Sequence, residues 1–442
     1  MLSIAPCPKP PHVIVKHGVV AMNVLLLGAD GFIGRHLVEA LSAAGHRLHR
    51  GVRTLSSASG SGEVSIDYRH DLTVSAWLPR LAGIEVVINS VGLLRETAEA
   101  RFDAVHVQAP RALFEACAES GVQKLIQISA LGADEHAASA YHLSKKVADD
   151  YLATLDLDWI IVQPAIVYGP DGASSRFFRL LASLPVLFLP GSGEQWIQPI
   201  HIDDLGEAIV RLVQPGAPVR CRLLLVGPQP VRYRDLLIHL RAQLGLAPAP
   251  LLPISDRLLS LAARLGDWIP GSFLTRETLS MLARSNTGNP ESTCALLGRS
   301  PRPLERFITP LEAPLLRHQA RMDWLLPLLK IAIALVWLGS GIVSLGLYPI
   351  AQSLELLEAV GLTGTLALTT LYAASLLDIA LGVATLIYPR AWLWGLQLGV
   401  VLLYSLIITL CLPGFWLHPF GPLLKNLPIL AILLVLFYLE ER

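Results

Sequence analysis

Short aliphatic runs alternate with amphipathic stretches along the first third of the chain. Val24 to Leu27 is the first such run. It leads directly into Gly28-Ala-Asp-Gly31-Phe-Ile-Gly34 and then into a helical pattern from Arg35 to Ala44, an order of strand, glycine turn and helix. Further strands are expected at Leu48 to Val52, Val64 to Ile66, Glu85 to Asn89, Lys124 to Ser129 and Trp159 to Val162, the last closed by Pro164. Helix-length stretches such as Val74 to Leu81 and Arg101 to Glu119 lie between them. This alternation predicts an α/β fold of the Rossmann type, a doubly wound parallel sheet covered on both faces.

From Gly169 to Arg317 the pattern loosens. Pro185, Pro190, Gly191, Pro199, Pro215, Pro218 and Pro228 punctuate short helical stretches, which predicts a small substrate-side lobe over about 169–317. Asp203 or Asp204 precedes the periodic run Leu205 to Val213 and reads as a helix N-cap, with His201 also structural. Four long apolar stretches follow, Leu325 to Leu347, Leu366 to Ile387, Ala391 to Leu412, and Leu423 to Leu439. Each approaches or exceeds the ~17 to 25 residues that cross hydrocarbon, the fourth being the shortest and carrying Pro428. The expected organisation is therefore a flexible extension over 1–21, a dinucleotide-binding domain with its lobe over 22–317, and an all-α four-helix transmembrane bundle over 318–442. The extension is rich in Pro and His and lacks the apolar core of a signal peptide.

Composition agrees with a chain that serves two solvents. Hydrophobic residues make up 53% of the 442 positions and charged residues 16%, and the charge is unevenly placed. Between Trp324 and Leu439 the only Lys, Arg, Asp or Glu residues are Lys330, Glu355, Glu358, Asp378, Arg390 and Lys425. The 35 basic residues balance the 35 acidic ones, and no basic run is interleaved with aromatics, which argues against a nucleic-acid partner. Cys7, Cys117, Cys221, Cys294 and Cys411 form no CxxC pair, so neither a metal site nor a disulfide framework is expected.

The glycine turn is the first candidate site. Gly28, Gly31 and Gly34, with Phe32 and Ile33 between them, follow a strand and open a helix, where a pyrophosphate can meet backbone N–H groups and the positive helix end. NAD-selective sites place an acid about 20 residues beyond the glycines, at the end of the second strand. Here no acid lies between Glu39 and Glu63, whereas Arg47, Arg50 and Arg53 surround that position. Arginine suits a 2′-phosphate, so NADP(H) is favoured over NAD(H), with Arg50 and Arg53 as its contacts.

The second candidate is chemical. Ser129 ends the fifth strand, and Tyr141 and Lys145 are four apart at the start of the next helix, on one face. A nearby ammonium lowers a phenol pKa, so tyrosine can pass a proton to or from a carbonyl oxygen that serine holds by a hydrogen bond.

With these pieces together the chain resembles the short-chain dehydrogenase/reductase superfamily, and within it the atypical or extended members related to the NAD(P)H-binding accessory subunit of respiratory complex I. The resemblance runs from Met22 to Thr309. It rests on the glycine turn, His70-Asp71-Leu72, Asn89-Ser-Val-Gly92, Gln127-Ile-Ser129, Tyr141 to Lys145, Gln163-Pro164-Ala-Ile-Val-Tyr-Gly169 and His201-Ile-Asp-Asp204. It implies that Asp71 contacts the adenine, that Asn89, Val91 and Gly92 line the cofactor, and that Pro164 and Val167 flank the nicotinamide. The C-terminal part resembles a DoxX-like membrane domain in length, helix count and small-residue spans such as Gly339-Ser-Gly341.

Two functions of different class are compatible with this reading. One is a membrane-tethered NAD(P)H-dependent oxidoreductase acting on a lipophilic carbonyl or quinone-like substrate, with Ser129, Tyr141 and Lys145 catalytic. The other is a non-catalytic NAD(P)H-binding module that docks an integral membrane complex. Arg317, Arg321, Lys330 and Arg390 flank the spans on one side, and Glu355 and Glu358 occupy the first interhelical loop. The positive-inside rule then places the Rossmann domain and both termini in the cytoplasm, with the bundle in a bacterial inner membrane. Asp378, midway along the second span, is expected either to be protonated or to face a polar pocket with Gln397 or Tyr404 inside the bundle.

Overall fold

The computed structural model describes residues 20–55, 62–269 and 271–440, so the extension expected over 1–21 lies outside them up to residue 19. The chain divides into two compact units, Met1–His318 and Gln319–Arg442.

The first unit is built on a seven-stranded sheet. Its strands are β1 (Asn23–Leu27), β2 (Arg47–Val52), β3 (Glu63–Ser65), β4 (Val86–Asn89), β5 (Lys124–Ile128), β6 (Trp159–Pro164) and β7 (Cys221–Leu225). They lie in the order β7-β6-β5-β4-β1-β2-β3, every neighbour parallel. The strand order reverses between β1 and β4, which opens a crevice at their carboxyl ends. Six of these strands are the six aliphatic runs of the sequence. The seventh comes from the proline-rich stretch and completes the sheet beside β6, with Leu225 opposite Pro164.

Alternation along each strand supplies two cores. Val24 and Leu26 of β1 face the helices α1 (Phe32–Ala43) and, later in the chain, Ile202–Val213, through Leu37, Leu41, Leu205 and Ile209. Leu25 and Leu27 face the opposite layer, against Trp77 and the Leu113 and Phe114 of α2 (Ala109–Ser120). All four β1 side chains are fully buried, and each such burial stabilises the sheet by roughly 1.5–3 kcal/mol.

The helix that carries Tyr141 and Lys145, α3 (Ala140–Leu152), starts at Ser139, whose hydroxyl accepts the His142 N–H. The helix Ile202–Val213, α4, departs from expectation. Its cap is His201, whose ring nitrogen accepts the Asp203 N–H at 3.2 Å, and Asp203 and Asp204 fall in the first turn. Asp204 is fully buried and drawn away by the Arg299 guanidinium at 2.8 Å and the Arg302 N–H at 2.6 Å.

The lobe surrounds Phe178, Leu187, Tyr233, Leu237, Leu240 and Phe307. Leu187–Pro190 pairs in parallel with Leu251–Ile254, and the chain continues into α5 (Asp256–Trp268) and α6 (Arg276–Ala283).

The second unit holds most of α7 (Ala313–Ile342), followed by α8 (Gly364–Ile387), α9 (Ala391–Cys411) and α10 (Asn426–Leu439). Three helical segments are long and apolar enough to cross a membrane, Ala313–Leu347, Gly364–Ile387 and Ala391–Cys411. The fourth apolar stretch is shorter than its hydropathy pattern: only 14 residues of it are helical. The acidic loop between the first two is itself a helix, Ile350–Ala359. Lys330, midway along the first span, pairs with Glu440 just beyond α10 at 2.8 Å, and Trp394 near the start of α9 donates to the same carboxylate at 3.3 Å. These two contacts bring the middle of α7, the start of α9 and the end of α10 together.

Candidate functional site: a cofactor crevice continuous with an apolar cavity

The glycine turn has the backbone of a phosphate cradle. Gly28 adopts φ +76°, a left-handed conformation unfavourable for other residues, and the Gly31 N–H donates to its carbonyl at 3.0 Å. A Cβ on Gly34 would lie 1.9 Å from the Gly28 carbonyl oxygen, so the first turn of α1 can press onto the loop only with glycine there. Gly31 is the N-cap and gives α1 no side-chain cap, which leaves the helix's first N–H groups facing the crevice end of β1. These residues fit a dinucleotide pyrophosphate.

The arginines divide. Pairing of β2 with β3 sets Arg50 opposite Glu63, and the two side chains form an ion pair. The sequence interval that seemed free of acids is therefore closed by an acid from the neighbouring strand. Arg53, just past β2, is exposed.

Several residues expected to touch cofactor are engaged elsewhere through their side chains. Asp71 holds the Arg80 guanidinium at 2.7 Å and accepts the Asp67 N–H at 2.6 Å. Asn89 is fully buried; its oxygen accepts from the Tyr68 hydroxyl at 2.7 Å and from the Val91 N–H at 3.2 Å, and its amide donates to Gln127 at 2.8 Å. Asn89 thus fixes the turn after β4, and Val91 presents its carbonyl to Lys145.

Ser129, Tyr141 and Lys145 come together as the spacing predicted, and all three line one cavity with Gly31, Phe32, Ile33, Gly92, Pro164 and Val167. The Lys145 ammonium donates to the Val91 and Ile128 carbonyls, each at 3.2 Å, and burial brings its pKa down to about 8. Tyr141 differs from expectation. Burial, reinforced by the charge of Asp149, pushes its pKa up to about 12, so it stands as a protonated phenol at neutral pH. His106 abuts the Tyr141 ring edge-on, accepts the Leu93 N–H at 2.9 Å and meets Ser144 at 2.8 Å; burial first, then the Lys145 charge, holds it neutral, down to about 2.

A fourth polar residue belongs to this group and was missed. Asp149, fully buried on α3, accepts the Ser129 hydroxyl, with Gln163 at 3.5 Å from the same oxygen. Its other oxygen, Oδ1, has no hydrogen-bond partner. Burial raises its pKa to about 7 against the opposing pull of Ser129, Lys145 and Arg222. The signal was present in the sequence, because Asp149 lies four residues after Lys145 and eight after Tyr141, on the same helix face.

Beyond Tyr141 the cavity changes character. It encloses about 550 Å³, and its far end is lined by Phe177, Leu181, Phe273, Leu279, Met281 and Leu282 from the lobe. In the second unit, Asp378 accepts from Ser340 at 2.9 Å and has Tyr404 beside it. Gln397 is turned instead to Trp337 and Thr385, at 2.7 and 2.9 Å. Among the described residues no cluster could hold a metal ion.

A doubly wound sheet with a glycine turn at its switch point, and serine, tyrosine and lysine meeting at the mouth of that crevice, defines a Rossmann domain of the short-chain dehydrogenase/reductase kind. The comparisons agree. Residues 24–220 match the NAD dependent epimerase/dehydratase family and residues 334–434 the DoxX-like family. The chain therefore joins an epimerase-type NAD-dependent domain to a C-terminal DoxX-like membrane domain.

Among curated relatives, a ceramide reductase of Caulobacter vibrioides is 34% identical over 196 residues, covering 44% of this chain and 60% of that protein. The mitochondrial NADH dehydrogenase [ubiquinone] 1 alpha subcomplex subunit 9 of Mus musculus is 26% identical over 261 residues, covering 52% of this chain and 63% of that one. The alignments thus span less than two thirds of these relatives. A nucleoside-diphosphate-sugar epimerase of Staphylococcus aureus shares the fold at TM-score 0.52 and 19% identity, over 65% of this chain and 99% of its own.

Proposed function

We propose that the protein is a membrane-anchored, NADPH-dependent reductase whose substrate is a long-chain lipid bearing a carbonyl group. The observation that carries this reading is the single cavity that runs from the glycine turn, past Ser129, Tyr141 and Lys145, into an apolar chamber of the lobe. A polar mouth with an apolar interior suits a molecule with one reactive oxygen and a hydrocarbon tail. The relative named a ceramide reductase supports the same substrate class.

Bound NADPH supplies the hydride. This chain's residues hold the oxygen and furnish the proton. Tyr141, protonated at neutral pH, donates to the oxygen as negative charge builds on it. Lys145, anchored by the Val91 and Ile128 carbonyls, keeps a positive charge beneath the site below about pH 8. Asp149 governs Ser129. When the carboxylate is ionised it accepts the serine's hydrogen bond; when protonated, below about pH 7, it donates to Ser129 and frees the serine hydrogen for the substrate oxygen. Arg53 recognises the 2′-phosphate, and Arg50 contributes less because Glu63 neutralises it. Gly28, Gly31 and Gly34 receive the pyrophosphate, and Phe32, Ile33, Gly92, Pro164 and Val167 enclose the nicotinamide end.

The cytoplasmic side of a bacterial inner membrane is the proposed location of the Rossmann domain and both termini. The meeting of Lys330, Trp394 and Glu440 supports an even number of crossings, and the basic residues flanking the spans support the cytoplasmic side for both termini. A reporter fused near Gln352 is expected to read as external.

The test is consumption of NADPH by the full chain in proteoliposomes given long-chain keto-lipids, followed at the nicotinamide absorbance. Turnover with long-chain but not short-chain ketones is the expected result. A second reading, a non-catalytic NADPH-binding module of a membrane complex, is favoured by the likeness to the mitochondrial subunit and by the Ser129 proton being held by Asp149. Tight NADPH retention without consumption across the lipid panel is its signature.

A further inference from the structure

Helix α5 carries its apolar residues on two sides. Leu259, Ala263 and Gly266 are buried, and Leu259 lines the cavity. The opposite side is also apolar: Leu258, Leu261, Leu265 and Trp268 are 62%, 55%, 60% and 87% exposed. Their spacings of three, four and three residues keep them in one stripe along the helix. Ile269 extends it, and the preceding strand adds the exposed Leu251 and Leu252, the latter paired with the half-exposed Phe188 at the cavity wall.

Charge is arranged to match. Arg257 and Arg264, both exposed, fall beside one edge of the stripe. The acid near the helix's end, Asp267, is neutralised by Arg276, and Arg95 clamps the last turn through the Ile269 carbonyl at 3.1 Å. A rigidly held helix with a leucine–tryptophan stripe and arginines along its border has the composition of a helix that lies in a bilayer interface. Covalent continuity supplies the bilayer, since the chain passes at Gln319 into a unit with three spans long enough to cross one.

We propose that the outer face of α5 seats in the interface of an anionic bilayer, making the α5–α6 hairpin a membrane-resting cover over the cavity. The cover is built from Leu259 on α5, Phe273 and Leu274 in the turn, and Leu279, Met281 and Leu282 on α6. A tailed molecule then reaches the chamber from the bilayer without crossing water. The docking stands on the stripe alone; only the identity of what enters rests on the reductase reading.

The test uses the full chain in vesicles of phosphatidylethanolamine and phosphatidylglycerol that contain a lipid with a photoreactive group near its headgroup. After illumination, peptides are mapped by mass spectrometry. Labelling of 258–269 above the exposed 118–120 segment at the end of α2 is expected, in addition to labelling of the spans. Leu261→Glu with Leu265→Glu, at sites that touch neither cavity nor cofactor crevice, should cut the 258–269 labelling by about fivefold or more while NADPH binding is kept. Labelling confined to the spans overturns the proposal, as do protein–protein cross-links at 258–269 without lipid, which assign the face to a second chain. If the double variant fails to fold, the unsubstituted chain's labelling pattern decides alone. Labelling without turnover sinks the reductase reading and leaves the docking intact; turnover without labelling does the reverse.

Discussion

The two ends of the cavity are made in different ways. The crevice end is assembled from strand termini and the first turns of α1 and α3, and its polar groups are fixed by hydrogen bonds: Lys145 by two main-chain carbonyls, the Val91 turn by the Asn89 side chain, Ser129 by Asp149. The lobe end is assembled from side chains on segments scattered over about a hundred residues, from Phe177 to Leu282, and presents hydrocarbon almost throughout. The crevice thus offers placed polar groups, and the lobe offers apolar volume. Chemistry should fail all at once when the first is altered, and selectivity should drift by degrees when the second is.

The largest expected effect is at the crevice. Tyr141→Phe removes only the donated proton and should lower the turnover number by about 10²–10⁴, with NADPH affinity little changed. Undiminished turnover would mean that the polar end is not where the reaction occurs. The lobe should respond more gradually. Each methylene removed from the substrate tail forfeits about 0.8 kcal/mol of burial, so shortening by two should lower kcat/KM by about tenfold. A flat response to tail length would show that the chamber does not hold the substrate.

Smaller effects divide the crevice itself. Arg53→Ala should reduce the preference for NADPH over NADH by about tenfold, measured by titration of each cofactor, and Arg50→Ala should do less because Glu63 already pairs with it. The subtlest effect is a pH profile. Because burial raises the Asp149 pKa to about 7, reduction should fall as pH climbs through that value and Ser129 loses its free hydrogen. Asp149→Asn, whose amide donates to Ser129 at every pH, should carry the rate roughly one unit further up the pH axis before it falls. An identical profile would remove Asp149 from the mechanism.

The division between the two ends also explains what could be read in the sequence. The sheet, the glycine turn and the Ser129, Tyr141 and Lys145 group were legible because each leaves a local signal: short aliphatic runs in the strands, four residues within one helix, glycines three apart. The seventh strand was hidden in a stretch whose prolines masked its alternation, although Cys221, Leu223 and Leu225 are buried on one side. Glu63 escaped because strand pairing, not chain distance, brings it to Arg50. The raised Tyr141 pKa could not be foreseen from a lysine four residues away, since burial and the charge of Asp149 set it. Asp149 was visible in spacing and overlooked. The apolar chamber left no local signal, because its walls come from segments that meet only in the fold.

Hydride transfer from NADPH to a lipid carbonyl leaves an isotopic trace that one measurement can read. The full chain in proteoliposomes is given a long-chain keto-lipid and NADPH carrying deuterium on the transferable face of the nicotinamide, and the recovered lipid is examined by mass spectrometry. One deuterium is expected on the carbon that had been the carbonyl, and none with Tyr141→Phe. Recovery of unlabelled lipid beside intact, tightly held NADPH would contradict hydride transfer and leave the protein a binding module.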